Sequence, residues 1–543
     1  MTLTSSPDTA AVPDRARIPW LYAVALGILS VGAALGFGNL VAGVFLPSSS
    51  PFLAVGDTVI RFSPEPLTEF AKTTFGTADK PILLSGMAVV IAVVAAVAGL
   101  ASRRRPGPGL TVVVVLGLAG TAAVVFGPAF RPVALVAPVV ALLVGVATFL
   151  FLHRVAQRPT PPAAARAPRN VTPAVESPPS RSMKRGVALG RRSVLFGAVA
   201  VAALAAGGAS LLLGSGIADA RRVVTERLAR VRLVETAPPI PANADFAALG
   251  TPTFLTRNAD FYRIDTALQV PQLTADDWSL NIHGMVGRET ALTFDDLMSR
   301  PLVERTITMT CVSNPIGGEL VSTANFVGVD LRDLLLDIGV RPGADQIFTT
   351  SSDGWTTGTP TDVVMEPDRG AMLAVGMNGE ALPPEHGFPV RMLVPGLYGY
   401  VSACKWIVDM ELTTFGARRG YWYQRGWAQK APIKTQSRVD RPAGFATMPA
   451  GTVTCAGIAW SQSTGVGRVE VRMDGGPWRD ATLTTAVNGR TWRMWRIDFE
   501  LAAGSHTVQT RATDLAGRTQ VETRTDPIPD GASGWPATIF NVT

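Results

Sequence analysis

Four long apolar runs, at residues 20–45, 82–100, 110–126 and 133–152, constrain this 543-residue chain more than any other feature. Each approaches or exceeds the ~20 residues that a helix needs to cross a bilayer, the third being the shortest. Charge-free stretches of Ala, Val, Leu and Gly of this length do not suit helices in a soluble core. Residues 1–153 are therefore expected to form an all-α, four-helix transmembrane region. Hydrophobic residues make up 47% of the chain and charged residues 17%, yet the apolar excess ends near Leu213 and a mixed composition follows. The net charge of +7 does not point to nucleic acid, because the arginines cluster beside the apolar runs, where they set membrane orientation.

Arg15 and Arg17 precede the first run, Arg103, Arg104 and Arg105 follow the second, and nine basic residues from Arg154 to Arg192 follow the fourth. Between the first two runs Arg61, Lys72 and Lys80 are balanced by Asp57, Glu65 and Asp79, and the short turn between the third and fourth carries Arg131 as its only charge. The positive-inside rule then puts the N-terminus and residues 154–192 in the cytoplasm. That segment, rich in Pro, Ala, Arg and Ser, reads as a disordered linker. A fifth apolar run over residues 193–214 is entered through Gly190-Arg191-Arg192-Ser193-Val194-Leu195-Phe196, which resembles a twin-arginine export signal. Retained as an anchor, it leaves everything downstream outside the cytoplasm. Arg221, Arg222, Arg227, Arg230 and Arg232 oppose this orientation but are outnumbered by the set before the run. Gly32 and Gly36 have the Gly-x-x-x-Gly spacing that permits close helix packing.

Residues 240–430 mix strand and helix signals and are expected to form an α+β domain. Residues 278–284 alternate as a strand, Thr293-Phe294-Asp295-Asp296 has a capping-box-like start, 329–338 reads as a helix and 346–350 as a strand. From Thr452 short strands recur at 452–460, 467–474, 478–483, 491–501 and 505–514, with a hairpin turn at Asp474-Gly475-Gly476. This spacing predicts an antiparallel β-sandwich over residues 431–543.

The chemistry centres on one cysteine. The alternating Thr306-Ile307-Thr308-Met309 predicts a strand that delivers Cys311 into a turn of Ser, Asn, Pro and paired Gly. A cysteine there can be offered to a metal or substrate, although a lone Cys is more often simply buried. The three cysteines, Cys311, Cys404 and Cys455, form neither a disulfide framework nor a zinc spacing, and a Cys404–Cys455 bridge stays open.

Cys311-Val312-Ser313-Asn314-Pro315 with Gly317-Gly318, followed by His386-Gly387-Phe388-Pro389-Val390-Arg391, Val394-Pro395-Gly396 and Lys405-Trp406, resembles the sulfite oxidase family of molybdopterin enzymes. The resemblance covers the chain from about Phe254 onward. It implies a molybdenum held by the dithiolene sulfurs of a pyranopterin and by the Cys311 thiolate, a soft ligand for a redox metal. It places His386, Arg391 and Lys405 on the cofactor and its phosphate, where Arg offers a fork and Lys a point charge. Phe254-Leu255-Thr256-Arg257-Asn258 matches a segment whose Asn contacts the cofactor and whose Arg faces the substrate anion. Members with sulfite activity usually carry His after that Asn, and here it is Ala259, which puts the substrate in question more than the cofactor. Asn314 matches a polar loop position, and Asp353 is expected near the pterin. The aromatic stretch Gly420-Tyr421-Trp422-Tyr423-Gln424-Arg425 suits either domain-junction packing or an anion pocket, with Tyr421 or Tyr423 as the family's active-site Tyr beside Arg425. The resemblance also implies an immunoglobulin-like C-terminal domain that often mediates dimerisation.

No Cys-x-x-Cys-His or iron–sulfur spacing is present, and the apolar runs carry no His, His153 lying at the edge of one. No haem is expected, and a separate electron-transfer protein is the implied partner. The expected activity is two-electron oxygen-atom transfer on a small oxyanion or oxide by a multi-pass membrane protein of the sulfite oxidase type. A sulfoxide or N-oxide reductase of the same fold, and a cofactor-free membrane interaction protein, are the alternatives.

Overall fold

A computed structural model describes residues 17–46, 49–64, 67, 70, 74–75, 78–127, 130, 132–157, 191–212 and 215–543. The linker expected over residues 154–192 therefore lies largely outside the described residues. Its two ends are helical instead, because the flanking helices run to Gln157 and begin at Arg191. The chain divides into two compact units, Met1–Gly214 and Ser215–Thr543.

The first unit is helical: α1 (Trp20–Phe45), α2 (Pro51–Phe62), α3 (Asp79–Ala101), α4 (Gly107–Val125), α5 (Val136–Gln157) and α6 (Arg191–Leu212). Among the described residues, four helices (α1, α3, α4 and the helical stretch Pro132–Gln157) are long and apolar enough to cross a membrane. Small residues set their packing. A Cβ on Gly27 would stand 1.9 Å from the Ala95 carbonyl oxygen, and one on Gly99 2.0 Å from that of Ala23, so α1 and α3 touch through bare backbone. Of the Gly-x-x-x-Gly pair, a Cβ on Gly36 would stand 2.6 Å from the Ala203 carbonyl oxygen of α6, while one on Gly32 would meet open space. α6 also meets α1 through an edge-on Tyr22–Phe196 contact and a 3.2 Å Tyr22–Ser193 hydrogen bond. His153 lies inside α5, not past its edge, and its Nε2 is 2.9 Å from the Ser102 carbonyl.

The second unit opens with α7 (Ser215–Leu228), whose Ile217 and Val224 are buried in the same apolar core as the sheets that follow. One sheet holds β1 (Ser279–Gly284), β2 (Thr290–Thr293), β5 (Gln346–Ser351), β6 (Thr356–Pro360) and β10 (Ile407–Thr413), in the order β2-β1-β10-β5-β6. The other holds β3 (Leu302–Thr310), β4 (Val321–Asp330), β7 (Met372–Met377) and β8 (Glu380–Ala381) in sequence, with β9 (Arg391–Leu393) on β7. Only β1–β10 pairs in parallel within these two sheets. Thr293 and Asp296 form the expected capping box of α8 (Phe294–Met298). The helix expected at 329–338 begins later, as α9 (Leu331–Ile338). Asp330 is its N-cap, accepting from the Asp333 amide at 2.9 Å, and Val329 stays in β4. Leu331, Leu334, Leu335 and Ile338 recur on one face and are buried.

The C-terminal region stacks two sheets. One comprises β11 (Gln436–Arg441), β13 (Gly451–Trp460), β16 (Thr482–Leu483) and β17 (Arg493–Leu501). The other comprises β12 (Thr447–Met448), β14 (Val466–Met473), β15 (Arg479–Asp480), β18 (Gly504–Asp514) and β19 (Ala537–Val542). Val453, Cys455, Trp495 and Phe499 of the first pack with Val469, Val471, Val508 and Phe540 of the second. The strand expected at 478–483 is two pieces in different sheets, Arg479–Asp480 pairing with β14 and Thr482–Leu483 with β17, with Ala481 between them. Asp474 (φ 52°) and Gly475 (φ 72°) make the expected tight turn between β14 and β15.

Candidate cofactor site

β3 ends at Thr310 and hands Cys311 to a loop that closes on itself. The Cys311 amide donates to the Leu320 carbonyl at 3.0 Å and the Asn314 amide to the Cys311 carbonyl at 3.1 Å. Asn314 Oδ1 accepts from the Leu320 amide at 2.9 Å, so Asn314 shapes the loop with its own side chain. Cys311 is 8% exposed, whereas Cys404 and Cys455 are fully enclosed, and none of the three is in a disulfide. The Cys404–Cys455 bridge that the sequence left open is therefore absent. Burial pushes both of those thiols up to about 12.

Residues 254–262 run beside β4, tied by the Thr256 amide to the Thr323 carbonyl (2.8 Å) and by the Tyr262 amide to Ser322 Oγ (3.2 Å). This brings the Tyr262 phenol close enough to Cys311 and Arg391 for both to act on its acidity. Desolvation is the largest effect and raises it far above the ordinary phenol range, with Cys311 adding to it. Tyr398 is likewise pushed up to about 12, by burial first, with Asp530 and Cys311 contributing. Sequence reasoning singled out neither tyrosine. The clue was Tyr262 following the Arg257-Asn258 motif, but its significance depends on the segment's course along β4.

Beyond Tyr262 lies a buried cationic cluster. Arg391 starts β9 and His386 sits on the turn before it, each 2% exposed. Arg391 Nη1 donates to the His386 carbonyl at 3.1 Å. His386 Nε2 lies 3.2 Å from the Asn258 carbonyl, an acceptor, so Nε2 carries the proton. Desolvation, then Lys405 and Arg391, lower His386 to about 3, so the imidazole is neutral. Lys405 Nζ donates to the Glu385 carbonyl (2.9 Å) and pairs with the buried Asp265 (3.2 Å), and desolvation brings it down to about 8. Arg263 reaches the same Asp265 carboxylate at 2.8 Å. Asp353 is raised, chiefly by burial, with Asp265 adding to it. His386 Nδ1 and Arg391 Nε are buried with no hydrogen-bond partner among the described residues.

Two buried orphan polar atoms beside three cations and a thiol fit a polar, anionic ligand that brings its own donors and acceptors. A phosphorylated pterin carrying a thiophilic metal meets that description: Cys311 would hold the metal, and His386, Arg391 and Lys405 the pterin and its phosphate.

The remaining expected residues fall as follows. Asn258 uses its side chain inside the protein, donating to Glu380 Oε1 at 2.6 Å and accepting from Asn378 at 2.8 Å, while its carbonyl receives His386. Arg257 is 81% exposed and pairs with Asp260 at 2.6 Å. Arg425 stacks over Tyr421 at 3.6 Å and donates to its carbonyl at 3.0 Å. Tyr421 and the more exposed Tyr423 both line a small cleft with Gln346, Thr357, Gly358 and Tyr400. The structure thus unites Cys311, His386, Arg391, Lys405 and Asp353 with the unforeseen Tyr262, Tyr398, Arg263 and Asp265, and joins Tyr421 to Arg425 in a second group.

Residues 267–422 match the oxidoreductase molybdopterin binding domain. The chain is 30% identical to sulfite oxidase of Gallus gallus over 313 residues, covering 49% of this chain and 68% of that protein. It is 27% identical to inducible nitrate reductase [NADH] 2 of Glycine max over 316 residues, 47% of this chain and 35% of that one. Among solved structures it aligns with the sulfane dehydrogenase SoxCD from Paracoccus pantotrophus at TM-score 0.47 and 22% identity, covering 54% of this chain and 84% of that one. The chain spans about half the length of the mammalian mitochondrial sulfite oxidases it matches, 53% of the macaque and human proteins. Residues 267–422 are thus a molybdopterin-binding oxidoreductase domain. The chain belongs to the sulfite oxidase family of molybdopterin oxidoreductases.

Proposed function

We propose that the chain is a membrane-anchored molybdenum-cofactor enzyme that transfers an oxygen atom, in a two-electron reaction, to or from a small substrate outside the cytoplasm. The observation that carries this reading is the pair of buried unpartnered atoms, His386 Nδ1 and Arg391 Nε, in one cluster with Lys405 and next to Cys311 through Tyr262. Bound there, the cofactor supplies a redox metal able to exchange two electrons and an oxygen atom with water and substrate. The chain's own groups do the rest. Neutral His386 presents an acceptor at Nδ1, Arg391 and Lys405 present cations, and Asp353, whose carboxyl burial raises, lies next to them. Tyr262 and Tyr398, both kept protonated, offer hydroxyl donors near the thiolate. Arg257, Arg425 and Tyr421 remain candidates for attracting an oxyanion at the mouth of the site.

The substrate divides two readings. Sulfite oxidation is supported by the family. Reduction of a sulfoxide or N-oxide is favoured by the two phenols beside Cys311 and by Arg257 being tied to Asp260. The membrane placement rests on the four apolar helices and the basic flanks. Arg221 and Arg227, which oppose it in a simple charge count, are engaged with Glu380 and Asp295 of the second unit and are not free juxtamembrane charges. An immunoglobulin-like, dimerising role for the sandwich and a separate electron-transfer partner complete the proposal. No haem is part of it.

The test is an assay of detergent-purified protein with sulfite and an artificial acceptor, and with sulfoxide or N-oxide and a reduced viologen. Turnover in one direction, abolished in Cys311→Ser, is expected. Absence of turnover on all of these substrates in cofactor-loaded protein contradicts the proposal.

A further inference from the structure

The cysteine loop is gripped from the C-terminal sandwich. Arg438 on β11 extends its Nη1 to the Gly318 carbonyl at 3.1 Å, in the loop that carries Cys311. Its side chain is 9% exposed and its Nε is fixed at 2.7 Å by Asp440, itself 12% exposed. Asp440 Oδ2 is buried with no hydrogen-bond partner among the described residues, and burial raises this carboxyl while Arg438 opposes the rise. The guanidinium is therefore held in place before it reaches the loop.

The strand that feeds the loop is gripped as well. Gln462 Nε2 donates to the Thr308 carbonyl, the Thr308 amide donates to the Arg490 carbonyl at 3.0 Å, and the Trp492 amide donates to Thr308 Oγ1 at 2.7 Å. A Cβ on Gly534 would meet Ile316 at 2.7 Å, so sandwich backbone also lies against the loop's outer side. The loop's internal bonds close it locally, but it joins two antiparallel strands over ten residues of turn chemistry, and local closure alone does not fix its height above the sheet.

We propose that the sandwich is a brace for the metal-binding thiol, with Arg438, locked by Asp440, as a positioning residue for Cys311. The importance of that thiol rests on the function proposed above, but the mechanical claim does not. A charge-assisted hydrogen bond to a buried carbonyl is among the stronger single contacts available to a loop, and its loss leaves the Gly318 oxygen unpaired.

Thiol labelling of the full-length, cofactor-free protein in detergent tests this. Cys404 and Cys455 are fully buried and serve as internal controls. In Arg438→Met, Cys311 alkylation is expected to accelerate about tenfold or more, the change anticipated when a loop loses one such bond, with Cys404 and Cys455 still protected. Arg438→Lys, which keeps a donor for Gly318, is expected to stay near the wild-type rate. If Arg438→Met fails to fold, Asp440→Asn loosens the same guanidinium and is expected to speed Cys311 labelling to a smaller degree. Unchanged Cys311 labelling, equal acceleration of all three cysteines, or Arg438→Lys labelling as fast as Arg438→Met overturns the proposal. A wild-type protein that binds no molybdenum would instead remove the functional reading and leave the labelling result standing.

Discussion

His386 and Lys405 show how far burial governs the site. Lys405 has lost most of its margin for holding charge: its ammonium titrates near pH 8, mainly through desolvation and against the pull of Asp265. Binding of inorganic phosphate to the cofactor-free protein should therefore weaken as pH rises through about 8, and Lys405→Gln should bind weakly with no such step. Titration calorimetry across that range checks it. His386 acts in the opposite pH range. Its folded value is about 3 against an ordinary 6.5, so between those values the unfolded chain takes up a proton that the folded chain refuses. Stability is thus fully present above 6.5 and falls as pH drops toward 3, by at most about 1.4 kcal/mol per pH unit. Melting curves of wild type and His386→Gln should converge toward the acid end. The grouping of Cys311, His386, Arg391 and Lys405 was legible in the sequence because each lies in a short motif. That Tyr262, Tyr398, Arg263 and Asp265 join this group was not, because their proximity is created by the fold, which leaves no local pattern.

At the scale of elements, the turn and cap signals carried through: the Thr293 box, the Asp474-Gly475 hairpin and the β3 alternation all formed. β3 is buried along both faces for most of its length, so its alternation of Thr with Ile and Met reflects polar side chains paired inside the core, as Thr308 is with Thr323. α7 carried a less readable message. Its arginines looked like membrane-flanking charges. In the fold Arg221 donates to the Leu382 and Ala381 carbonyls at 2.9 and 3.1 Å and pairs with Glu380, the residue that holds Asn258. The amphipathic face with Ile217 and Val224 explains why: the helix belongs to the core of the second unit. Arg221→Met should lower stability by about 1–2 kcal/mol, partly discounted because Glu380 is half exposed, and thermal melting of the purified protein measures it.

At the scale of the molecule, composition alone divided an apolar half from a mixed one, and the chain's division into two compact units after residue 214 falls close to the end of the fifth apolar run. The bonds from Gln462, Arg490 and Arg438 to β3 and its loop could not be read in advance. They join residues more than a hundred positions apart through polar side chains and irregular backbone, where periodicity has nothing to say. The central claim is that Cys311 and the His386–Arg391–Lys405 cluster together hold a molybdenum cofactor. Metal analysis of the full-length protein, made in a host that synthesises the cofactor, tests it most directly. About one equivalent of molybdenum in wild type, lost or sharply reduced in both Cys311→Ser and Arg391→Met, is the predicted result. Wild-type protein without molybdenum, or Cys311→Ser and Arg391→Met both retaining it in full, would contradict the account.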